Sequence, residues 1–174
     1  MTKITIIGCG WLGLPLGKSL VENGYNVFGT TRSERRVPTI EATGMGSILL
    51  DKAGSFTQNS TEKMGLSDFL IITIPPNWSE APEEYAHKLQ SFVTEFPPST
   101  TIIFTSSTGI YPKKSGTYSE DYIFSVQEQK SALFQAEKML LSLPNRAYIL
   151  RLGGLFGPQR HPITFLTNNC FIFI

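Results

Sequence analysis

Apolar residues along this chain gather into short runs: Ile4-Thr5-Ile6-Ile7, Tyr25-Asn26-Val27-Phe28-Gly29-Thr30, Ser47-Ile48-Leu49-Leu50-Asp51, Phe69-Leu70-Ile71-Ile72-Thr73-Ile74, Thr101-Ile102-Ile103-Phe104-Thr105 and Ala147-Tyr148-Ile149-Leu150-Arg151-Leu152. Short, near-continuous apolarity predicts strands covered on both faces, as in a parallel sheet. Between the runs the spacing becomes helical. Leu12, Leu16 and Leu20 form one stripe, with Pro15 in the first turn and Gly24 at the C-cap. Tyr85, Leu89, Phe92 and Val93 predict a helix over 81–96, stopped by Pro97-Pro98, and Leu133, Ala136, Leu140 and Leu143 predict another over 125–143. The polar stretch 52–63 reads as irregular helix or loop. Strands alternating with helices give an α/β fold: a doubly wound parallel sheet with helices on both faces and the ligand at the carboxyl ends of the strands.

The first strand runs directly into Gly8-Cys9-Gly10-Trp11-Leu12-Gly13. Here G-x-G-x-x-G has a physical reading: Gly8 makes the turn, Gly10 admits a pyrophosphate against bare backbone, and Gly13 brings helix and sheet together. The anion then rests on the helix N-terminus beside Trp11 and Leu12. Strand, glycine turn, helix and second strand therefore predict a Rossmann-like dinucleotide site. Pro75-Pro76 ends the central strand, and the turn at Pro75 is expected at the cofactor end of the sheet.

After the second strand comes Thr31-Arg32-Ser33, with no carboxylate to take the ribose 2′-hydroxyl of NAD. Arg32 with Thr31 and Ser33 suits the 2′-phosphate of NADP, so NADP is preferred to NAD. The competing reading makes Arg32, Arg35 and Arg36 a solvated loop.

A length of 174 residues favours one domain, and a net charge of +1 offers no broad attraction to nucleic acid or membrane. The expected partners are a dinucleotide and a small-molecule substrate, with a homodimer as a further expectation. No signal-peptide pattern opens the chain, so a cytoplasmic location is expected. Cys9 and Cys170 make neither a disulfide framework nor a metal set, and Cys9 reads as a small residue in a tight loop. His87 lies off its helix stripe and reads as a surface residue.

Phe104-Thr105-Ser106-Ser107-Thr108-Gly109-Ile110-Tyr111, taken with the glycine turn and Arg151-Leu152-Gly153-Gly154-Leu155-Phe156-Gly157-Pro158, resembles the extended and atypical short-chain dehydrogenase/reductases. More narrowly it is similar to their NAD(P)-dependent sugar-nucleotide epimerase/dehydratase branch. The resemblance makes Ser107, four residues before Tyr111, the candidate catalytic residue, bonded to the substrate oxygen at the reacting carbon. Thr108 and Gly109 stand where the dehydratases carry Asp and Glu, which disfavours dehydration. A purely local alternative has the Ser107 hydroxyl cap the strand end.

One departure is large. The family's Tyr-x-x-x-Lys pair is missing: placing its usual helix glutamate on Glu137 puts Gln129 in the tyrosine position and Leu133 in the lysine position. A rearranged pair from Tyr122 and Lys130 is the remaining route to a proton donor. The enzyme reading, acting on a sugar-nucleotide-like or other hydroxyl/carbonyl substrate, thus competes with a non-catalytic NADP-binding or redox-sensing module. A third reading notes that the glycine turn and Ile74-Pro75-Pro76 are similar to the β-hydroxyacid dehydrogenases. The resemblance divides the chain into an NAD(P)-binding domain, 1–158, and a short tail, 159–174, expected to begin a substrate lobe that is largely missing. The apolar end, Phe165 to Ile174, is then expected to pack back or pair with another copy; an ordinary final strand is the alternative.

Overall fold

The computed structural model describes residues 1–57, 60 and 67–160. Cys170, the segment 165–174 and part of the polar stretch 52–63 lie outside the described residues. The elements are β1 (Lys3–Ile7), α1 (Gly13–Glu22), β2 (Asn26–Thr31), α2 (Val37–Glu41), β3 (Gly46–Leu49), β4 (Phe69–Ile72), α3 (Pro82–Val93), β5 (Thr101–Ser107), α4 (Ala132–Ser142) and β6 (Ala147–Leu152). All neighbouring strands pair in parallel, in the order β3-β2-β1-β4-β5-β6. The order reverses between β1 and β4, whose carboxyl ends therefore diverge and open a crevice.

Alternation along the strands sends side chains to two cores. Ile7, Leu70, Ile72, Ile102 and Phe104 pack against Leu89, Phe92 and Val93 of α3 and Leu133, Ala136 and Leu140 of α4. Ile4, Ile6, Val27 and Ile71 face the other way, against Ile40, Met45 and the leucines of α1. Fully burying each such side chain stabilises by about 1.5–3 kcal/mol. The buried hydroxyls of Thr5, within β1, and Ser67, just before β4, are paired at 2.9 Å.

Some expected elements are corrected. Helix α1 buries Gly13, its first residue, and Gly17, with Leu16 and Leu20 partly buried beside them, while Leu12 turns into the crevice. A Cβ on Gly17 would meet Met45 and Ile6, so the helix approaches β1 more closely than a leucine stripe allows. The helix expected over 125–143 begins only at Ala132. Ser131 is extended and caps it, accepting from the Phe134 N–H at 3.2 Å, and residues Glu128–Lys130 form a separate 3₁₀ turn. The short helix α2, for which no element was expected, has Pro38 in its first turn and Ile40 buried. His87 is exposed, as expected.

Candidate active site

The crevice holds two adjoining cavities that share Gly10, Thr73, Pro75 and Pro76. In the first, of about 490 Å³, the glycine loop forms the floor. Gly8 has φ +102, a conformation natural to glycine, and a Cβ there would strike Ile74. A Cβ on Gly13 would meet the Gly8 carbonyl oxygen, which explains its close packing. Among the described residues, nothing lies within 4 Å of a Cβ placed on Gly10. That bare backbone is the space an anionic ligand needs, and α1 has neither a side-chain cap nor an acidic residue in its first turn.

Side chains from three elements fix the loop. Thr30 Oγ1 accepts from the Gly8 N–H at 3.0 Å, and Thr73 Oγ1 donates to the Gly8 carbonyl at 2.6 Å. Arg36 Nη2 donates to the Cys9 carbonyl at 2.7 Å. Cys9 itself points inward against Gly29, and burial pushes its thiol up to about 11. Arg32 and Arg36 both line the first cavity, with Lys88 and one carboxylate, Glu80. Thr31 lines it too, although its hydroxyl is engaged in a local turn with the Ser33 backbone, and Ser33 lies outside the lining. Arg36 and Thr73 are the residues sequence reasoning missed. Thr73 had a signal, a hydroxyl at the end of an otherwise apolar strand; Arg36 had only its place one turn beyond Arg32.

The second cavity, of about 510 Å³, brings Trp11 and Leu12 together with Ser107 and Leu133. Ser107 Oγ accepts from the Gly109 N–H at 3.0 Å, so the local capping role is real, and its own O–H proton remains to be donated into the cavity. Leu133 presents an apolar wall where the resemblance would place a lysine. Gln129 lies outside the cavity, its amide donating to the Phe124 carbonyl at 2.9 Å. Tyr122 also turns away: its hydroxyl meets the Glu128 carboxylate at 3.3 Å, within a cluster containing Tyr111, Tyr118 and Phe124. Burial, with Glu128 beside it, pushes the Tyr122 phenol up. Neither Tyr122 nor Lys130 is among the described residues lining this cavity. Tyr85 does line the cavity, but its hydroxyl donates to the Ile74 carbonyl at 2.7 Å and burial raises its pKa.

Behind Ser107, Ser106 donates to buried Glu137 at 2.5 Å, and Glu137 pairs with Arg151 at 2.7 Å. Arg151 also donates to the Tyr111 hydroxyl at 2.8 Å and covers the Tyr111 ring. Bonding to Glu137 raises the arginine further above its usual range. This pair anchors the long loop between β5 and α4 behind the cavity.

A six-stranded parallel sheet with a glycine loop at its switch point defines a nicotinamide-dinucleotide-binding domain. The chain belongs to the family of the NAD binding domain of 6-phosphogluconate dehydrogenase, matched over residues 3–120. The matched range takes in the Ser107 strand end and Ile74-Pro75-Pro76 but stops before the Arg151–Pro158 motif. Protein YeeZ of Escherichia coli strain K12 is 36% identical over 176 residues, covering 97% of this chain and 64% of that protein. The chain thus spans just under two thirds of the length of this curated relative. Among solved structures, vestitone reductase from alfalfa shares the fold with a TM-score of 0.68 at 19% identity, covering 87% of this chain and 56% of the reductase. A Bacillus halodurans protein assigned as an NAD-dependent epimerase/dehydratase has a TM-score of 0.61 at 14% identity, covering 88% and 71%. Among the described residues no helix is long and apolar enough to cross a membrane.

Proposed function

We propose that this chain is the cofactor-binding part of an NADP-preferring oxidoreductase of the epimerase/dehydratase-like kind, with the dinucleotide's adenosine half in the first cavity and its nicotinamide half toward Ser107. The observation that carries this reading is the pair Arg32 and Arg36, both lining the cavity beside the glycine loop where β2 ends without a carboxylate. Two guanidiniums suit a 2′-phosphate, since charge-assisted bonds to phosphate are the strong ones. Gly10 leaves room for the pyrophosphate.

When bound, the dinucleotide supplies or accepts the hydride. Ser107 orients the substrate oxygen by donating its hydroxyl proton, and Leu133 keeps water from the adjoining wall. Among the described cavity residues no tyrosine-lysine pair moves a proton, so turnover is slower by about 10²–10⁴-fold than with a positioned acid. A non-catalytic NADP-binding or redox-sensing role is the second reading, favoured by Leu133 in the lysine position.

Titrating the protein with NADPH and NADH tests the first claim: NADPH should bind the tighter, and equal affinities would overturn it. A stopped-flow search for nicotinamide turnover with hydroxyl and carbonyl substrates separates the two readings. Turnover that disappears in Ser107→Ala supports the enzyme; cofactor binding with no turnover supports the sensor.

A further inference from the structure

We infer that the second cavity takes a substrate with an apolar body and one negatively charged group, a carboxylate or a phosphate, gripped by Arg160; this rests on the dinucleotide occupying the glycine-loop side. Among the described residues lining this cavity, Arg160 is the one charged side chain. Trp11, Trp78, Leu133, Leu152 and Leu155 make its surroundings apolar. Among the described residues Arg160 takes part in neither of the two ion pairs. A cation at an apolar cavity with no carboxylate among its described lining residues is complementary to an anion.

The position of Arg160 is built. Gly157 and Arg160 exchange backbone bonds, Arg160 N to Gly157 O at 2.9 Å and Gly157 N to Arg160 O at 3.2 Å. Between them Gln159 adopts φ 63, a left-handed conformation uncommon outside glycine. Trp11 holds this turn from the other side. Its Nε1–H donates to the Pro158 carbonyl at 2.9 Å, and the Arg160 guanidinium lies 4.5 Å from its ring centroid, a cation–π arrangement. A Cβ on Gly157 would come within 3.0 Å of that ring, so turn and indole fit closely.

Two anions could meet Arg160: the pyrophosphate of the cofactor or a group on the substrate. Arg160 lines the cavity that contains Ser107 and does not line the one floored by Gly8 and carrying Arg32. That cavity also takes in Gly10, Trp11 and Leu12 of the glycine loop, so the assignment to the substrate rests on Ser107 and the apolar wall, and the NADPH titration of the Arg160 variant decides between the two anions. Ser107 and Arg160 would hold two ends of one molecule, an oxygen at the reacting carbon and a charge at a distance from it.

Calorimetric titration of the full chain with 3-phenylpropanoate, phenyl phosphate and the neutral 3-phenylpropanamide, each with and without saturating NADP, tests the assignment. At least one anion should bind about tenfold or more tighter than the amide, a difference of about 1.4 kcal/mol. Arg160→Gln should bring that anion to the level of the amide while leaving NADPH affinity unchanged, and Arg160→Lys should keep part of the preference. Equal affinities for all three probes, or no saturable anion binding, would overturn the inference. So would an Arg160→Gln variant that loses NADPH affinity by the same factor, because Arg160 would then serve the pyrophosphate. An anion preference that depends on Arg160 in a chain with no NADPH affinity would sink the cofactor reading alone and leave the anion site standing.

Discussion

Arg36 reaches back from the turn before α2 and donates to the carbonyl of Cys9, inside the glycine loop, at 2.7 Å. A residue in the turn between β2 and α2 thus bears on the loop that follows β1, and one guanidinium serves both the loop and the first cavity. Replacing Arg36 with alanine should weaken NADPH binding by about 1.5–3 kcal/mol, the range of a lost charge-assisted bond. Arg32→Ala should do the same, and NADH should be affected less by both. Fluorescence titration of each variant with the two cofactors checks this; equal losses for both cofactors would assign Arg36 to the loop alone.

Gly10 and Gly13 should fail in opposite ways. A Cβ on Gly10 meets nothing among the described residues, so Gly10→Ala should change stability by no more than about 0.5 kcal/mol while obstructing the dinucleotide. A Cβ on Gly13 meets the Gly8 carbonyl and Thr73 Oγ1, so Gly13→Ala should destabilise by about 1–3 kcal/mol through overpacking. Urea unfolding beside NADPH titration separates the two effects. Unaltered cofactor affinity in Gly10→Ala would remove the pyrophosphate from this loop.

Glu137 is 3% exposed and carries the charge that faces Arg151. Truncating it leaves a partly buried guanidinium unpaired, and Glu137→Ala should cost about 3–5 kcal/mol. The loss should appear in urea unfolding midpoints. An effect below 1 kcal/mol, on the order of an exposed ion pair, would show that water replaces the carboxylate.

The Cys9 thiol is held up at about 11, from an ordinary value of 9.0, chiefly by burial. Its raised folded-state pKa means that the contribution to stability is fully present below about pH 9 and is lost as pH rises through about 11. Two units correspond to about 3 kcal/mol at most. Unfolding free energies measured from pH 8 to 11 should fall more steeply for the natural chain than for Cys9→Ala, and parallel slopes would rule the contribution out.

The strands and the glycine loop were legible because both are local patterns: an apolar run is a property of neighbours in sequence, and the loop geometry follows from glycine spacing. What sequence could not show depends on chain return. Helix α2 is five residues long, too short to display a period. The stretch before α4 carries helical composition, yet the Gln129 amide is bonded to the Phe124 carbonyl and Ser131 resets the backbone at the cap. Arg36 and Arg160 are polar residues in loops until Cys9 and Trp11 are brought to them. The Ser107 side was readable mainly as a lack, since the resemblance puts titrating groups where Gln129 and Leu133 stand, and among the described residues neither Tyr122 nor Lys130 lines the cavity.

The sequence holds two tryptophans, Trp11 and Trp78, and both line the second cavity. Indole emission from this chain therefore originates at the cavity wall. Reduced nicotinamide absorbs in the region where indoles emit, so a dinucleotide seated with its ring toward Ser107 would drain that light by resonance transfer, and the oxidised form would not. A dinucleotide held that way would give the chain its own optical gauge of cofactor redox state, with no label to attach.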